Sequence, residues 1–160
     1  MKAIWKICVA AVLAVSPMFA LSPQAKENVV AVPNGDAEMD AAIAKAQNLL
    51  PQFWAKYAKP AGGESGFGLK VAIRDAGNTE HFWLADLRRD ATGLSGVIAN
   101  EPVYVKSVKY GQRYVIPEGD ISDWMYVKDG KIVGGYTLRA MLKHMPAVEA
   151  AELKSRLAPE

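Results

Sequence analysis

Residues 120–137 read DISDWMYVKDGKIVGGYT, and this stretch decides how the second half of the chain folds. Asp129 and Gly130 stand between two runs that are rich in β-branched and aromatic residues. An Asp-Gly pair suits a two-residue type I′ turn, because both central residues of that turn need a positive φ. The sequence therefore predicts a β-hairpin in which Lys128 lies opposite Lys131.

Both faces of this hairpin carry large apolar side chains, because alternate residues of a strand point to opposite sides. One face is predicted to hold Met125, Val127, Ile132 and Gly134, and the other to hold Trp124, Tyr126, Val133 and Gly135. Most half-buried antiparallel hairpins have one polar face. Either a helix covers the second face or that face binds a partner. Burial under a helix is favoured, because aromatic side chains usually lie in protein cores.

The first 25 residues have the pattern of a secretion signal. Lys2 and Lys6 make the start basic, residues 7–15 are an unbroken apolar run, and Ser16-Pro17 ends that run. The run is shorter than the ~20 residues that a membrane-spanning helix needs, so an uncleaved anchor is the less favoured alternative. We expect an exported protein, periplasmic or secreted, with no membrane span after cleavage.

Cleavage would change the composition of the chain. The only cysteine, Cys8, lies inside the signal, so the mature protein has no disulfide and no cysteine ligand or nucleophile. Two of the 19 basic residues also lie there, which leaves 17 basic against 17 acidic residues. This balance gives no general attraction to nucleic acid, and we expect no nucleic-acid partner.

Residues 26–35 are predicted to be a flexible lead-in, and residues 36–158 a single domain. A helix is expected to begin near Asp36 and to present an apolar stripe between Met39 and Tyr57. Pro51 interrupts this pattern, so either a kink or two abutting helices are expected.

Short strands follow the helix, with connections too short for crossovers, which favours an antiparallel sheet. They are predicted at residues 67–74, 79–88, 94–99, 103–110 and 112–116 and in the hairpin. Thr137 is predicted to cap a short helix and Pro146 to open another. The chain is thus an α+β protein: an N-terminal kinked helix packed on a curved antiparallel sheet of about five to seven short strands, with two short C-terminal helices. A barrel and an open sheet both remain possible.

Few residues of the mature chain suit catalysis. His144 lies near a helix C-terminus, where its charge is favourable. His81 lies in a strand and shares a face with Trp83, and could be a base paired with Asp120 or Asp123. A structural histidine is favoured, because such residues are more often satisfied inside a fold. No spacing of His, Asp and Glu suggests a metal site, and no cofactor is expected.

Asp120 and Asp123 flank Ser122 just before the hairpin. Paired carboxylates could act as acid and base, although Asp and Ser at such positions more often bond to the backbone of a turn. Ser122 lacks the Gly-x-Ser-x-Gly setting of a nucleophile. A basic face is a further alternative that would suit an anionic envelope partner, although an ordinary solvated face is favoured. Its members would be Lys70, Arg74, Arg88, Arg89, Lys106, Lys109 and Arg113.

Several segments together resemble the YegJ-like bacterial domain family, a family of small domains of unknown function. They are Ala44–Trp54, Phe67–Val71, Glu80-His81-Phe82-Trp83, Ile98–Pro102, Gly111-Gln112-Arg113 and Ile121–Arg139. The resemblance covers most of residues 36–158 and implies a compact α+β domain without established catalytic residues. Some similar domains accompany toxin and immunity systems, which implies a protein-binding role.

The sequence as a whole favours an exported, non-catalytic module that binds a protein or ligand, with another envelope protein as the expected partner. The predicted binding residues are Trp83, Trp124 and Tyr126, with His81, Asp120 and Asp123 at the rim. The alternative is a small envelope hydrolase that uses His81 with Asp120 or Asp123. The oligomeric state stays open.

Overall fold

The computed structural model describes residues 36–159 in full, and the backbone of Trp5–Cys8 and Val29–Val32. Residues 1–4, 9–28, 33–35 and 160 lie outside the described part. The signal peptide predicted for residues 1–25 falls almost entirely on them and stays a prediction.

The first described helix, α1, spans Ala37–Ala58. Asp36 caps it, because its carboxylate accepts hydrogen bonds from the backbone amides of Glu38 and Met39 at 3.0 and 3.1 Å. Of the two alternatives at Pro51, the structure has one continuous helix. Over the described residues, neither this helix nor a later one has the length and apolar character that crossing a membrane requires.

Six strands between residues 64 and 134 form one open antiparallel sheet in the order β6-β5-β4-β3-β7-β8. They are β3 (Glu64–Asp75), β4 (Asn78–Asp90), β5 (Gly93–Ile98), β6 (Arg113–Val115), β7 (Ile121–Lys128) and β8 (Lys131–Gly134). The backbone of β1 (Trp5–Cys8) lies parallel to β4 beside Glu80 and His81, and β2 (Val29–Val32) pairs with β1. Together with α1 and two short C-terminal helices, the sheet confirms the predicted α+β class.

The hairpin has the predicted register and turn. Lys128 faces Lys131 and Met125 faces Gly134, while Asp129 and Gly130 have φ values of 49° and 78°. Both central residues of a type I′ turn require such positive values.

Each face of the hairpin is covered by helices, which confirms the favoured interpretation of its two apolar faces. Trp124, Tyr126 and Phe53 belong to the larger core, which α1 closes. Met125 and Trp83 lie in a smaller core on the opposite face. That core is closed by Leu138 of α2 (Tyr136–Met141) and by residues at the end of α3 (Ala147–Arg156).

The strand predicted at residues 103–110 is wrong. The Glu80 carboxylate accepts hydrogen bonds from the three amides of residues 103–105, and the Asp75 carboxylate accepts two from residues 106 and 107. Because side chains bind these amides, the segment runs as a loop and not as a strand.

The predicted N-cap at Thr137 is also wrong. Helix α2 begins one residue earlier, at Tyr136, and Gly135 stands at the cap position with a positive φ of 63°. The carboxylate that binds the first helical amides comes from Asp123 on β7, which is distant in sequence.

Candidate functional site

The face of the sheet opposite α1 carries an unusual row of polar side chains. In the pairing of β3 with β4, Lys70 lies opposite Trp83, Ala72 opposite His81 and Arg74 opposite Thr79. Because these pairs are two residues apart, their side chains share one face. We call this row, with Asp123 opposite Lys70 on β7, the polar face.

The inner end of the polar face is a closed network around Asp123. Its carboxylate accepts hydrogen bonds from the amides of Trp124 (2.8 Å), Tyr136 (3.2 Å) and Thr137 (2.8 Å), and from the Thr137 hydroxyl (2.6 Å). Lys70 Nζ donates to the same hydroxyl at 3.1 Å and lies 5.5 Å from the centre of the Trp83 ring. Asp123 and Lys70 are fully buried, so this end joins β3, β7 and α2.

Burial raises the pKa of the Asp123 carboxyl above its ordinary value, because a charged carboxylate loses its water. The Thr137 hydroxyl, the positive charge of Lys70 and two backbone amides oppose this rise. Both carboxylate oxygens are occupied by donors, so Asp123 serves architecture and has no lone pair directed at solvent.

The outer end of the polar face opens into a cleft of about 200 Å³. Four elements bring polar side chains to it: α1 (Gln47), β3 (Arg74), β4 (Thr79 and His81) and β7 (Ser122). Asp120, in the turn just before β7, also lines it. Gln47 Nε2 also donates to the carbonyl of Ile121 at 3.0 Å, which holds α1 against this end of the sheet.

His81 and Ser122 meet at the floor of the cleft. His81 Nδ1 lies 2.9 Å from Ser122 Oγ, and that hydroxyl donates to the Lys70 carbonyl at 3.2 Å. Both residues are almost completely buried, with 2% and 4% of their surface exposed. An irregularity in the pairing of β3 with β7, between Lys70 and Val71, accompanies the placement of Ser122 beside His81.

Burial, together with the positive charges of Lys70 and Arg74, lowers the pKa of His81 to about 3. The imidazole is therefore neutral at physiological pH. An efficient general base has a pKa near the working pH, so this imidazole is a poor base.

Arg74 and Asp120 form an ion pair at the mouth of the cleft, with Arg74 Nη1 2.5 Å from Asp120 Oδ1. The Arg74 side chain is 62% exposed and that of Asp120 is 25% exposed. These are the accessible charged groups of the cleft, in contrast to the buried pair at the inner end.

The structure separates Trp83 from the other two predicted aromatic residues. Trp124 and Tyr126 are buried beneath α1, and Trp124 Nε1 donates to the Ala46 carbonyl of that helix at 2.9 Å. Trp83 is buried in the smaller core on the opposite face. In this conformation the three rings form no common surface, and their role in binding stays a prediction.

Of the remaining predicted residues, the structure brings His81 and Asp120 to one cleft and places Asp123 in the closed network. His144 lies 3.1 Å from Asp36 at the start of α1 and is not among the residues that line the cleft. Within residues 36–159, no group of three His, Cys, Asp or Glu side chains is arranged to hold a metal ion.

The binding residues predicted from the sequence did not include Arg74, Thr79 and Ser122, which line the cleft. The tight turn at residues 75–78 fixes Arg74 opposite Thr79, so this pairing could have been counted from the sequence. Ser122 reaches His81 across an irregular pairing of β3 and β7, and no local pattern in the sequence reports that irregularity.

Comparison with known proteins gives a family but no activity. The model of a family described as "Uncharacterized protein conserved in bacteria (DUF2314)" matches residues 36–158. Among curated proteins, the chain is 47% identical over 91 residues to "Uncharacterized protein YegJ" of Escherichia coli (strain K12), which covers 57% of this chain. No solved structure matches the chain significantly.

A second relative is the "Putative ankyrin repeat protein NMB1133/NMB1171" of Neisseria meningitidis serogroup B (strain ATCC BAA-335 / MC58). It is 40% identical over 73 residues, which cover 46% of this chain. The matched segments span 60% of the Escherichia coli relative and 29% of the Neisseria relative, so the chain covers less than two thirds of either protein.

Proposed function

The chain belongs to this family of uncharacterized bacterial proteins. On that premise, we propose that it is an exported, non-catalytic module, which binds its ligand in the cleft at the outer end of the polar face. One observation carries the proposal. The polar side chains of Gln47, Arg74, His81 and Ser122 converge there from four separate elements on a cleft of about 200 Å³. In a concave binding site, a few converging polar groups fix the orientation of the ligand.

The size of the cleft restricts what it can hold. Pockets that enclose a whole drug-sized ligand have volumes of roughly 300–1,000 Å³. A cleft of about 200 Å³ is smaller, so it suits a very small molecule or one chemical group of a larger partner. A group presented by another envelope protein fits this restriction.

The hydrolase alternative has less support. His81 would have to act as a base, yet its pKa is lowered to about 3, and its hydrogen bond at Nδ1 is to Ser122. Asp123 is surrounded by donors in the closed network, and Asp120 is paired with Arg74. Neither carboxylate is placed as the orienting partner that an acid–base pair with His81 needs.

Export is the second part of the proposal and rests on the N-terminal sequence. It predicts that the chain is found outside the cytoplasm and begins between residues 21 and 26. Fractionation of the host cell and sequencing of the protein's N-terminus measure both properties. Recovery of the intact chain from the cytoplasm would contradict export without affecting the cleft.

The binding function can be tested by nuclear magnetic resonance on the isotope-labelled full chain. We would add the small-molecule fraction of a bacterial envelope extract, then whole envelope protein. We expect saturable shifts centred on His81, Ser122 and Thr79, and loss of those shifts in Ser122→Ala. Ser95→Ala is the matched control, because Ser95 lies in β5 outside the cleft.

The same samples test catalysis. We expect no turnover of carboxylic ester, amide or phosphate ester substrates that depends on His81. Turnover that His81→Gln abolishes while the spectrum of the fold is retained would favour the hydrolase. Shifts that cluster away from the cleft would contradict the proposed binding site.

A further inference from the structure

We infer that the group bound in the cleft is a carboxylate, held by the Arg74 guanidinium and the Thr79 hydroxyl above the His81 ring. This inference rests on the proposed function, since it gives the ligand chemistry of the same cleft. The paired positions of Arg74 and Thr79 at the end of the polar face carry it.

Arg74 is suited to the task because a guanidinium is a planar fork with five N–H donors that matches the geometry of a carboxylate. Its contact with Asp120 uses Nη1, while the fork also carries donors on Nη2 and Nε. The side chain is 62% exposed, so a ligand can reach it from solvent. One Arg can therefore hold Asp120 on one side and a ligand on the other.

The more accessible charge at the cleft is positive, because the Arg74 side chain is 62% exposed and that of Asp120 is 25% exposed. Lys70 and Arg74 also act on His81 with their positive charges. Each of these bases has an acidic neighbour: Asp123 is enclosed by its own donors beside Lys70, and Asp120 is paired with Arg74 but is the less exposed member of that pair. A cation in the cleft would meet Arg74 at the mouth and the field of Lys70 behind the floor.

The Thr79 hydroxyl completes the arrangement. Two oxygens of a carboxylate need donors, and Thr79 supplies one hydroxyl directly opposite Arg74 in the β3–β4 pairing. The His81 ring forms the floor below this pair, with its Nδ1 engaged by Ser122. The size of the cleft admits a carboxylate and a few attached atoms.

The test uses three small probes of similar shape on the labelled full chain: acetate, acetamide and methylammonium. We expect acetate alone to give saturable shifts of the Arg74 side chain and of the Thr79 and His81 signals. Arg74→Gln should weaken acetate binding about tenfold or more, because a hydrogen bond to a charged group is lost. Arg88→Gln is the matched control, since Arg88 is equally exposed (64%) and faces one carboxylate, Asp86.

Two further probes distinguish the source of the carboxylate. A glutamate blocked at both ends carries it on a side chain, and a short neutral peptide with a free C-terminus carries it on the backbone. Tighter binding of either than of acetate supports a protein ligand, and tighter binding of acetate supports a small metabolite. Each of these outcomes supports a carboxylate.

Other outcomes overturn the inference. Equal shifts with acetamide and acetate, or a response to methylammonium alone, would exclude an anion site and leave binding in the cleft intact. Acetate binding that Arg74→Gln and Arg88→Gln reduce equally would place the carboxylate elsewhere. If none of the probes and no envelope fraction shifts the cleft signals, the proposed function fails as well.

Discussion

The two ends of the polar face are built from the same kinds of residue and behave in opposite ways. At the inner end, Asp123, Lys70 and Thr137 are buried and bonded to one another and to α2. At the outer end, Asp120, Arg74 and Thr79 meet solvent at a cleft. An acid, a base and a threonine thus form architecture in one place and a candidate site in the other.

The difference lies in what covers each end. Helix α2 brings its first amides and Thr137 onto Asp123, so every oxygen of that carboxylate has a donor. No described helix lies over Arg74 and Asp120 in this way, and their ion pair remains partly exposed. Buried polar groups that are fully satisfied rigidify a fold, whereas accessible groups keep their capacity for a ligand.

The largest expected effect comes from removing the carboxylate at the closed end. Asp123→Ala takes the negative charge away from buried Lys70 and leaves the first amides of α2 without their acceptor. We expect the free energy of unfolding to fall by about 3–5 kcal/mol. Urea denaturation measures it, with Asp120→Ala as the control, for which we expect a loss of about 1 kcal/mol or less. Equal losses would contradict the contrast between the two ends.

The threonines at the two ends of the polar face should differ less in their effect on stability. Thr137→Val removes a hydroxyl that serves both Asp123 and Lys70, and we expect a loss of about 1.5–3 kcal/mol. Thr79→Val changes a side chain of similar shape at the cleft, where we expect about 0.5 kcal/mol or less. Thermal and urea unfolding of both variants provide the measurement. A larger loss for Thr79→Val would show that the cleft is part of the architecture.

His81 makes stability depend on pH, because its pKa is about 3 in the fold and about 6.5 in the unfolded chain. Below pH 6.5 the unfolded chain binds a proton that the folded chain does not bind. Stability is therefore greatest above pH 6.5 and falls as the pH is lowered towards 3. Between pH 7 and 5 we expect His81 to account for a loss of about 2 kcal/mol.

His81→Gln should remove this part of the pH dependence. The measurement is the difference between wild type and variant in unfolding free energy across that range, which cancels the contributions that the two proteins share. A difference that stays constant between pH 7 and 5 would mean that His81 is not buried as a neutral group.

The smallest change in stability is expected for Arg74→Gln, below about 1 kcal/mol, because surface ion pairs contribute little. The same substitution should raise the pKa of His81 from its low value, since a positive charge near the ring is lost. Titration of the ring by nuclear magnetic resonance checks the direction of the pKa change. A fall in that pKa would contradict the positive influence of Arg74 on the cleft.

Much of the fold could be predicted because its signals are local. Asp129-Gly130 fixed the hairpin register through the turn alone, and Asp36 marked the start of α1 through its capping side chain. The order of a helix, short strands and further helices was enough for the α+β class. In each case the residues that determine the structure are neighbours in sequence.

Features that depend on distant residues escaped prediction. The loop at 103–110 has strand-like residues, but carboxylates of Asp75 and Glu80 bind its amides. Strict alternation along β4 would put Leu87 on the face of Trp83, but it lies in the core under α1, after an irregularity at Asp86, where φ is 45°. The periodicity of neighbouring residues does not report the side chains that bind this loop or the irregularity that moves Leu87.

The candidate site shows the same division. His81 and Asp120 could be chosen from residue type alone, and the structure does place both at the cleft. Their true neighbours could not be chosen in this way. Ser122 reaches His81 through irregular strand pairing. Asp123 accepts hydrogen bonds from α2, so it does not form the predicted acid–base pair with His81.

The central claim is that the open end of the polar face binds a ligand above a neutral imidazole and does not catalyse a reaction. Its most direct test is the protonation state of His81 at pH 5, measured from the nitrogen shifts of the ring in the folded chain. We predict that the ring is neutral there, because burial, Lys70 and Arg74 lower its pKa to about 3. A ring that becomes protonated between pH 6 and 7 would contradict this account and would restore His81 as a general base.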